Sequence, residues 1–228
     1  LLERPSYARM LRIEQPLILP EEMAALHNVA GFSAVTIDAD WDPSLGPEGL
    51  RPALVSLRRA AERAVRRGAN ILVVSDRAVA PRRAPIPMLL AIGAVRQHLV
   101  ERGLRARVGL VAEAGDAFDI HHFAALIGYG AEAVHPWLAL ATVDALFDSR
   151  EPERRRDAHE TERPSPAEAR LKFRSAAEKG LLKILSKMGI STLSSYCGAQ
   201  IFEALGLGAE VIDTCFSGTA SPIGGIGF

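Results

Sequence analysis

Residues 66–114 read RRGANILVVSDRAVAPRRAPIPMLLAIGAVRQHLVERGLRARVGLVAEA, and the order of elements in this stretch decides the fold. A helical pattern stops at Gly68. ILVV, at 71–74, is then apolar without a break and ends in Ser75-Asp76-Arg77. A strand with no polar alternation is a strand covered on both faces. From about Pro87 to Arg102 the pattern is helical again, Gly103 marks the exit, and VGLV at 108–111 is a second unbroken apolar run. Glycine closes helices because it enters the left-handed conformation without a Cβ clash. Strand, helix and strand in this order make a βαβ unit, and βαβ units make parallel sheets.

The same beat recurs on both sides. Gly31 precedes FSAVTIDAD, Gly128 and Gly130 precede AEAVHPW, Gly189 precedes ISTLSSYC, and Gly208 precedes AEVIDTC. The rhythm predicts strands near residues 33–39, 70–75, 106–112, 132–135, 190–196 and 210–214. Between them, Leu50, Leu54, Leu57, Ala61 and Val65 recur at helical spacing, with arginines and Glu62 on the other side. A further helix is expected from Asp116, carrying Phe118, Phe123, Leu126 and Ile127. Another opens at Ser165-Pro166-Ala167-Glu168, where serine caps, proline fits the first turn and glutamate reaches back. That helix should run to Met188 and bury Leu181, Leu182, Ile184, Leu185 and Met188, with Lys183 and Lys187 facing water. QIFEALGL, after Cys197, reads as one more short helix. The fold class expected is α/β, a mostly parallel sheet with outer helices, either open or an incomplete (βα) barrel.

Composition excludes several functions. Lys+Arg and Asp+Glu both number 27, so no net field favours nucleic acid or an anionic membrane. Two cysteines, Cys197 and Cys215, are too few for a disulfide framework and suit a reduced, cytoplasmic setting. The first residues have charges among the apolar ones and no signal-peptide core. The longest apolar run, Ile86 to Val95, is about half a membrane span. Residues 148–164 have almost no large apolar side chains and are expected to form a mobile loop.

In parallel α/β folds ligands sit beyond the C-terminal ends of strands. On the predicted strands those ends carry Asp38, Asp40, Asp76, Arg77, Glu113, His135, Tyr196, Cys197 and Asp213. They could be the acids and bases of a free-standing small α/β enzyme. They could equally be the polar strand ends and helix caps of a scaffold. His121 or His122 with Glu113 and His135 matches no metal-ligand spacing, so capping or surface roles are expected. Cys197 has no cation near it in sequence and reads as a buried thiol. PIGGIGF, at 222–228, has the glycines of a phosphate loop but neither a lysine nor a following helix.

Longer motifs carry a resemblance. KGLLKILSKMGISTLSSYCGAQIFEALGL, residues 179–207, resembles the segment that closes the central domain of the glutamate synthase large subunit. LRIEQPLILPEEMAAL, TIDADWDPSLGPEGLRPAL, the run 68–100, the run 108–140 and GTASPIGGIGF resemble further family segments, in order. The resemblance implies a non-catalytic domain, without cofactor or metal of its own, between an amidotransferase domain and an FMN barrel with an iron–sulfur cluster. That domain helps wall the ammonia tunnel of an enzyme that makes glutamate from glutamine and 2-oxoglutarate. Implied partners are those two domains and, through the parent, a small NADPH-oxidising subunit. Residue 1 is leucine, not the family's nucleophilic cysteine, and two cysteines cannot supply three closely spaced cluster thiolates. Residues 1–30 would be the leading segment, and 215–228 would lead to the FMN domain. Pro222 stands where many relatives carry arginine. The hydroxyls of the 190–196 strand would face the neighbouring domains or the ammonia route, making Ser194, Ser195, Tyr196 and Gln200 a partly exposed interface or tunnel patch.

Overall fold

The computed structural model describes residues 10–148 and 164–228. Four parallel strands lie side by side in chain order: β1 (Ala34–Asp38), β2 (Ile71–Ser75), β3 (Gly109–Glu113) and β4 (Ala133–His135). Each is joined to the next by a helix: α2 (Leu50–Arg66), α3 (Met88–Glu101) and α4 (Ile120–Gly128). The first four expected strands are therefore present and parallel. β3 begins later than expected because Arg105–Arg107 form a 3-10 turn.

Register sorts the side chains into two cores. Thr36, Val73, Val111 and Ala133 form one row across the sheet; Asp38, Ser75, Glu113 and His135 form the next row along. Leu72, Val74, Leu110, Ala112 and Val134 point to the other face, into the core beneath the helices. Ile71, Val73, Val111 and Ala133 instead meet Ile18, and Met23 and Leu26 of α1 (Pro20–Leu26). The leading segment also extends the sheet. Val134 N donates to the Pro16 carbonyl at 2.8 Å and Ile18 N donates to the Val134 carbonyl at 3.0 Å. Both faces of β2, β3 and β4 are thus covered, which is why β2 and β3 read as unbroken apolar runs, whereas β1 at the sheet edge leaves Thr36 and Asp38 exposed.

Two helices complete the first unit, α5 (Trp137–Phe147) and α6 (Pro166–Lys187). The capping box at Ser165 and Glu168 is formed as expected, with Pro166 in the first turn. Arg170 bridges Asp144 and Glu21, and Arg174 bonds Glu22, so α6 holds both α5 and α1. The expected buried face of α6 needs correction. Leu181 and Leu185 are buried, but Leu182 is 64% exposed and Met188 53%. Gly180, inside the helix, is where the Ile120 side chain of α4 rests against it. Asp116 does not cap α4; Asp119 does, while Asp116 accepts from Met88 N and caps α3 across space.

The last fifth of the chain departs most. Residues 190–196 are not a strand: Thr192 caps the short helix α7 (Leu193–Tyr196), its hydroxyl accepting from Ser195 N. Hydroxyl side chains compete for backbone groups in this way, so STLSS is a helix cap rather than a hydroxylated strand. Residues 210–214 are not a strand either but lie in α8 (Ala209–Cys215). Gly208 has φ −68° and ψ 153°, so it opens a helix where the rhythm made it close one. Within QIFEALGL the structure has a strand, β5 (Glu203–Leu207), and Gly206 at φ +75° is incompatible with a helix there. Its parallel partner β6 (Ala220–Ile226) takes in most of PIGGIGF. Of the expected loop at 148–164, residues 149–163 lie outside the described residues.

Candidate functional site

The row Asp38, Ser75, Glu113, His135 ends the sheet at the edge where ligands bind in such folds, and its geometry decides between enzyme and scaffold. Ser75 Oγ donates to Glu113 Oε2 at 2.6 Å, and Arg77 donates to Glu113 Oε1 at 3.2 Å. The Arg77 guanidinium also lies 5.4 Å from the Trp137 ring centroid. Trp137 Nε1 donates to Asp76 Oδ1 at 2.7 Å, and Gly115 N donates to both Asp76 oxygens at 2.9 and 2.8 Å. Burial pushes the Asp76 carboxyl above its ordinary range, while the Trp137 and Gly115 bonds oppose the rise. His135 Nδ1 lies 2.8 Å from the Ile18 carbonyl, and a carbonyl only accepts, so this nitrogen carries the proton. Burial holds its pKa below the usual histidine value. Arg83 binds Asp38 and Asp40 together.

A general acid or base must be able to reach a substrate proton. Asp76 instead holds the turn after β3 and the first residue of α5, Glu113 holds the end of β2 through Ser75 and Arg77, and His135 holds the leading segment. The row is a brace that ties strand ends to their loops. Asp213 is not a strand-end acid, since it lies exposed on α8.

The histidines lead elsewhere. His122 Nδ1 accepts from Phe118 N at 3.0 Å, and among the described residues no group of three His, Cys, Asp or Glu side chains is placed to hold a metal ion. Cys197 does have cationic neighbours: Arg96 and Arg105, distant in sequence, act to lower its pKa, but burial dominates and raises it. Burial pushes the Cys215 thiol up to about 12. Neither thiol has the thiolate character of an activated nucleophile.

Ser194, Ser195 and Gln200 are exposed, whereas Tyr196 is 1% exposed and not part of an open patch. Its ring packs edge-on to Phe202 at 6.4 Å, and its enclosed hydroxyl has no hydrogen-bond partner among the described residues. Gly198 N donates to the Gly128 carbonyl at 2.8 Å, which puts this segment where α4 ends and β4 begins. It therefore stands at the opposite end of the sheet from the bracing row. Sequence reasoning missed Trp137, Gly115 and Arg83, whose partners lie 61, 39 and 45 residues away. It also missed a cleft of about 410 Å³ at the strand N-terminal ends, lined by Leu11, Leu26, Phe32, Ile71 and Val111 with Arg105 and Arg107.

Comparison with known proteins gives the affiliation. The family described as the glutamate synthase central domain matches residues 1–208. The glutamate synthase (NADPH) large chain of Bacillus subtilis is 42% identical over 220 residues, 96% of this chain and 14% of that protein. The ferredoxin-dependent glutamate synthase 2 of Arabidopsis thaliana is 42% identical across 97% of this chain and 14% of its own. Glutamate synthase (NADH) of Schizosaccharomyces pombe is 43% identical across 98% and 10%. The chain thus spans about a seventh or less of the length of these relatives. Among solved structures, a flavocytochrome b2 variant with benzoylformate superposes with a TM-score of 0.51 at 9% identity, covering 78% of this chain and 37% of that one. That likeness concerns the fold alone and fits a partial, unclosed barrel. Sequence and fold together make the chain a member of the glutamate synthase central-domain family.

Proposed function

We propose that the chain is the connecting domain of a glutamate synthase large chain, a scaffold between its glutaminase and FMN/iron–sulfur domains that helps wall an internal ammonia passage. The observation that carries this reading is the near-complete match to a short stretch of much longer large chains. The parent would make glutamate from glutamine and 2-oxoglutarate in the cytoplasm, with a small NADPH-oxidising subunit as a further partner. Among the described residues no helix is long and apolar enough to cross a membrane.

The cofactors of that reaction would belong to other domains. A flavin phosphate needs free cations or amides, yet at this sheet edge Arg77, Arg82 and Arg83 each bind a carboxylate. The cluster that the resemblance implies needs three closely spaced thiolates, and this chain has two cysteines. The residues present do not fit either group. The free-standing enzyme is disfavoured because its candidate acids and base already bond neighbouring chain.

Within the parent, residues 1–30 would lead in, 148–164 would connect, and 215–228 would lead toward the FMN domain. Ser194, Ser195 and Gln200 would face the passage or the adjoining domains, with Tyr196 enclosed behind them. The test uses a large chain carrying this domain, with Gln200→Leu and Ser194→Ala, both at exposed positions. Glutamine-dependent glutamate formation should fall several-fold, while synthesis from added ammonia and glutaminase activity persist. Equal loss of both syntheses, or no loss, would refute the assignment of these residues. Ammonia release from glutamine by the 228-residue chain would refute the scaffold reading itself.

A further inference from the structure

The unit β5–α8–β6 stands on the outer side of the helical layer. α8 lies against α3 so closely that a Cβ on Gly93 would overlap the Cys215 carbonyl oxygen. Its two strands form a separate parallel ribbon in which Leu205 lies opposite Ile223 and Leu207 opposite Ile226. Three of these four side chains are not covered, Leu205 being 64% exposed, Ile223 61% and Ile226 74%, while Leu207 is half-buried against the main core. Pro222, Gly224 and Gly225 are exposed too, and among the described residues β6 has no partner on its second edge. Parallel sheets are ordinarily covered on both faces, and a two-stranded ribbon is marginal by itself. An apolar face on an open strand edge marks a contact surface.

The chain's last residues are fixed beside this face. Gly208 N donates to the Ile226 carbonyl at 2.7 Å, Phe228 N donates to Glu210 Oε1 at 3.2 Å, and the Arg51 guanidinium lies 5.8 Å from the centre of the Phe228 ring. Polypeptide that continues past this position in a large chain starts next to the exposed rungs. We infer that an extended segment of the adjoining downstream domain adds to the free edge of β6 and covers Leu205, Ile223 and Ile226. The inference rests on the large-chain reading above. Size favours a tethered occupant over a second copy. Stable pairs of free chains bury about 1,000 Å² or more, beyond three large side chains, whereas a tethered neighbour acts at roughly millimolar effective concentration.

Hydrogen exchange on a large chain carrying this domain tests it. Amides 223–227 should exchange about tenfold or more slowly than in Leu205→Glu/Ile223→Glu, while amides 71–75 of β2 stay equally protected as the control for folding. Fast exchange at 223–227 in the parent, or no change in the variant, overturns the inference. Protection that rises with protein concentration also overturns it, because the cover is then a second copy. The reading frame reports separately on the underlying reading. A frame without flanking domains removes the occupant, whereas flanking domains beside an unprotected β6 sink the docking alone.

Discussion

Gly93→Ala sets two effects of known size against each other. In the middle of a helix alanine is better than glycine by about 1 kcal/mol, so α3 alone would gain. In this fold the new methyl would overlap the Cys215 carbonyl oxygen, lying 3.1 Å from its carbon and 3.3 Å from Phe216 Cε1. The obstacle is helix backbone, which cannot rotate aside as a side chain can. Relief requires α8 to move off α3, loosening Val211, Ile212, Cys215 and Phe216, all buried. Overpacking of this kind costs about 1–3 kcal/mol, and overlap with backbone belongs at the upper end, about 2–3 kcal/mol, so the net loss should be about 1–2 kcal/mol after the helix gain. For a chain of this size that lowers Tm by roughly 2–8 °C. Gly180→Ala is the matched control, because its new methyl meets only the Ile120 side chain, Cδ1 and, at 2.7 Å, Cγ1, so relief needs that side chain to rotate rather than a helix to move. It should fall within about 1 kcal/mol of the parent. Thermal melts of the three chains decide the matter: a Gly93→Ala chain as stable as the parent refutes the close approach of α3 and α8.

Asp76→Ala strips the acceptor from Gly115 N and Trp137 Nε1 and should cost about 1–3 kcal/mol by denaturant titration, with Asp76→Asn costing less because one acceptor stays. His135 has its folded pKa held below 6.5 by burial, so as pH falls through 6.5 the unfolded chain takes the proton first. Stability should be full above 6.5 and decline below it, and His135→Gln should flatten that slope between pH 5.5 and 7.5. Cys215, with its thiol up to about 12, should resist alkylation at pH 8 until the chain unfolds; rapid labelling of the folded protein contradicts its burial. Leu181→Ala should cost about 2–5 kcal/mol and Leu182→Lys less than about 0.5 kcal/mol, a contrast that melts can read across one turn of α6.

How legible the fold was follows from what each glycine does. After Gly31, Gly68 and Gly103 the run that follows holds two or more β-branched residues, after Gly130 it holds Val134, and all four glycines have positive φ, so the rhythm found β1 to β4. Gly208 breaks the rule because a glycine with ordinary φ can open a helix as readily as another can close one, and AEVIDTC fits either state. Gly189 does close α6 at φ +69°, but the hydroxyls after it cap α7 instead of entering a sheet. Ser165 and Glu168 were readable because a capping box is local. The bracing bonds were not, since Asp76 to Trp137 and Arg83 to Asp38 depend on strand register rather than spacing. Tyr196 was misjudged for the same reason: serines beside it suggested water, whereas Phe202 encloses it.

The pairing of Pro16 and Ile18 with β4 also says something about how the chain is made. The Ile18 carbonyl waits for His135, 117 residues later. At the usual 5–20 residues per second of synthesis, that gap is on the order of ten seconds. During that interval β1 and β2 can associate through α2, because that contact is local, but the strap has no edge to join. Contacts this distant in sequence slow folding, since a long loop must close before any stabilisation is gained. The face carrying Ile71, Val73 and Val111 then lacks its full cover at the stage when nascent chains aggregate or meet chaperones. Synonymous codon changes that delay translation between β2 and β4 should therefore lower the soluble yield of an otherwise unaltered protein.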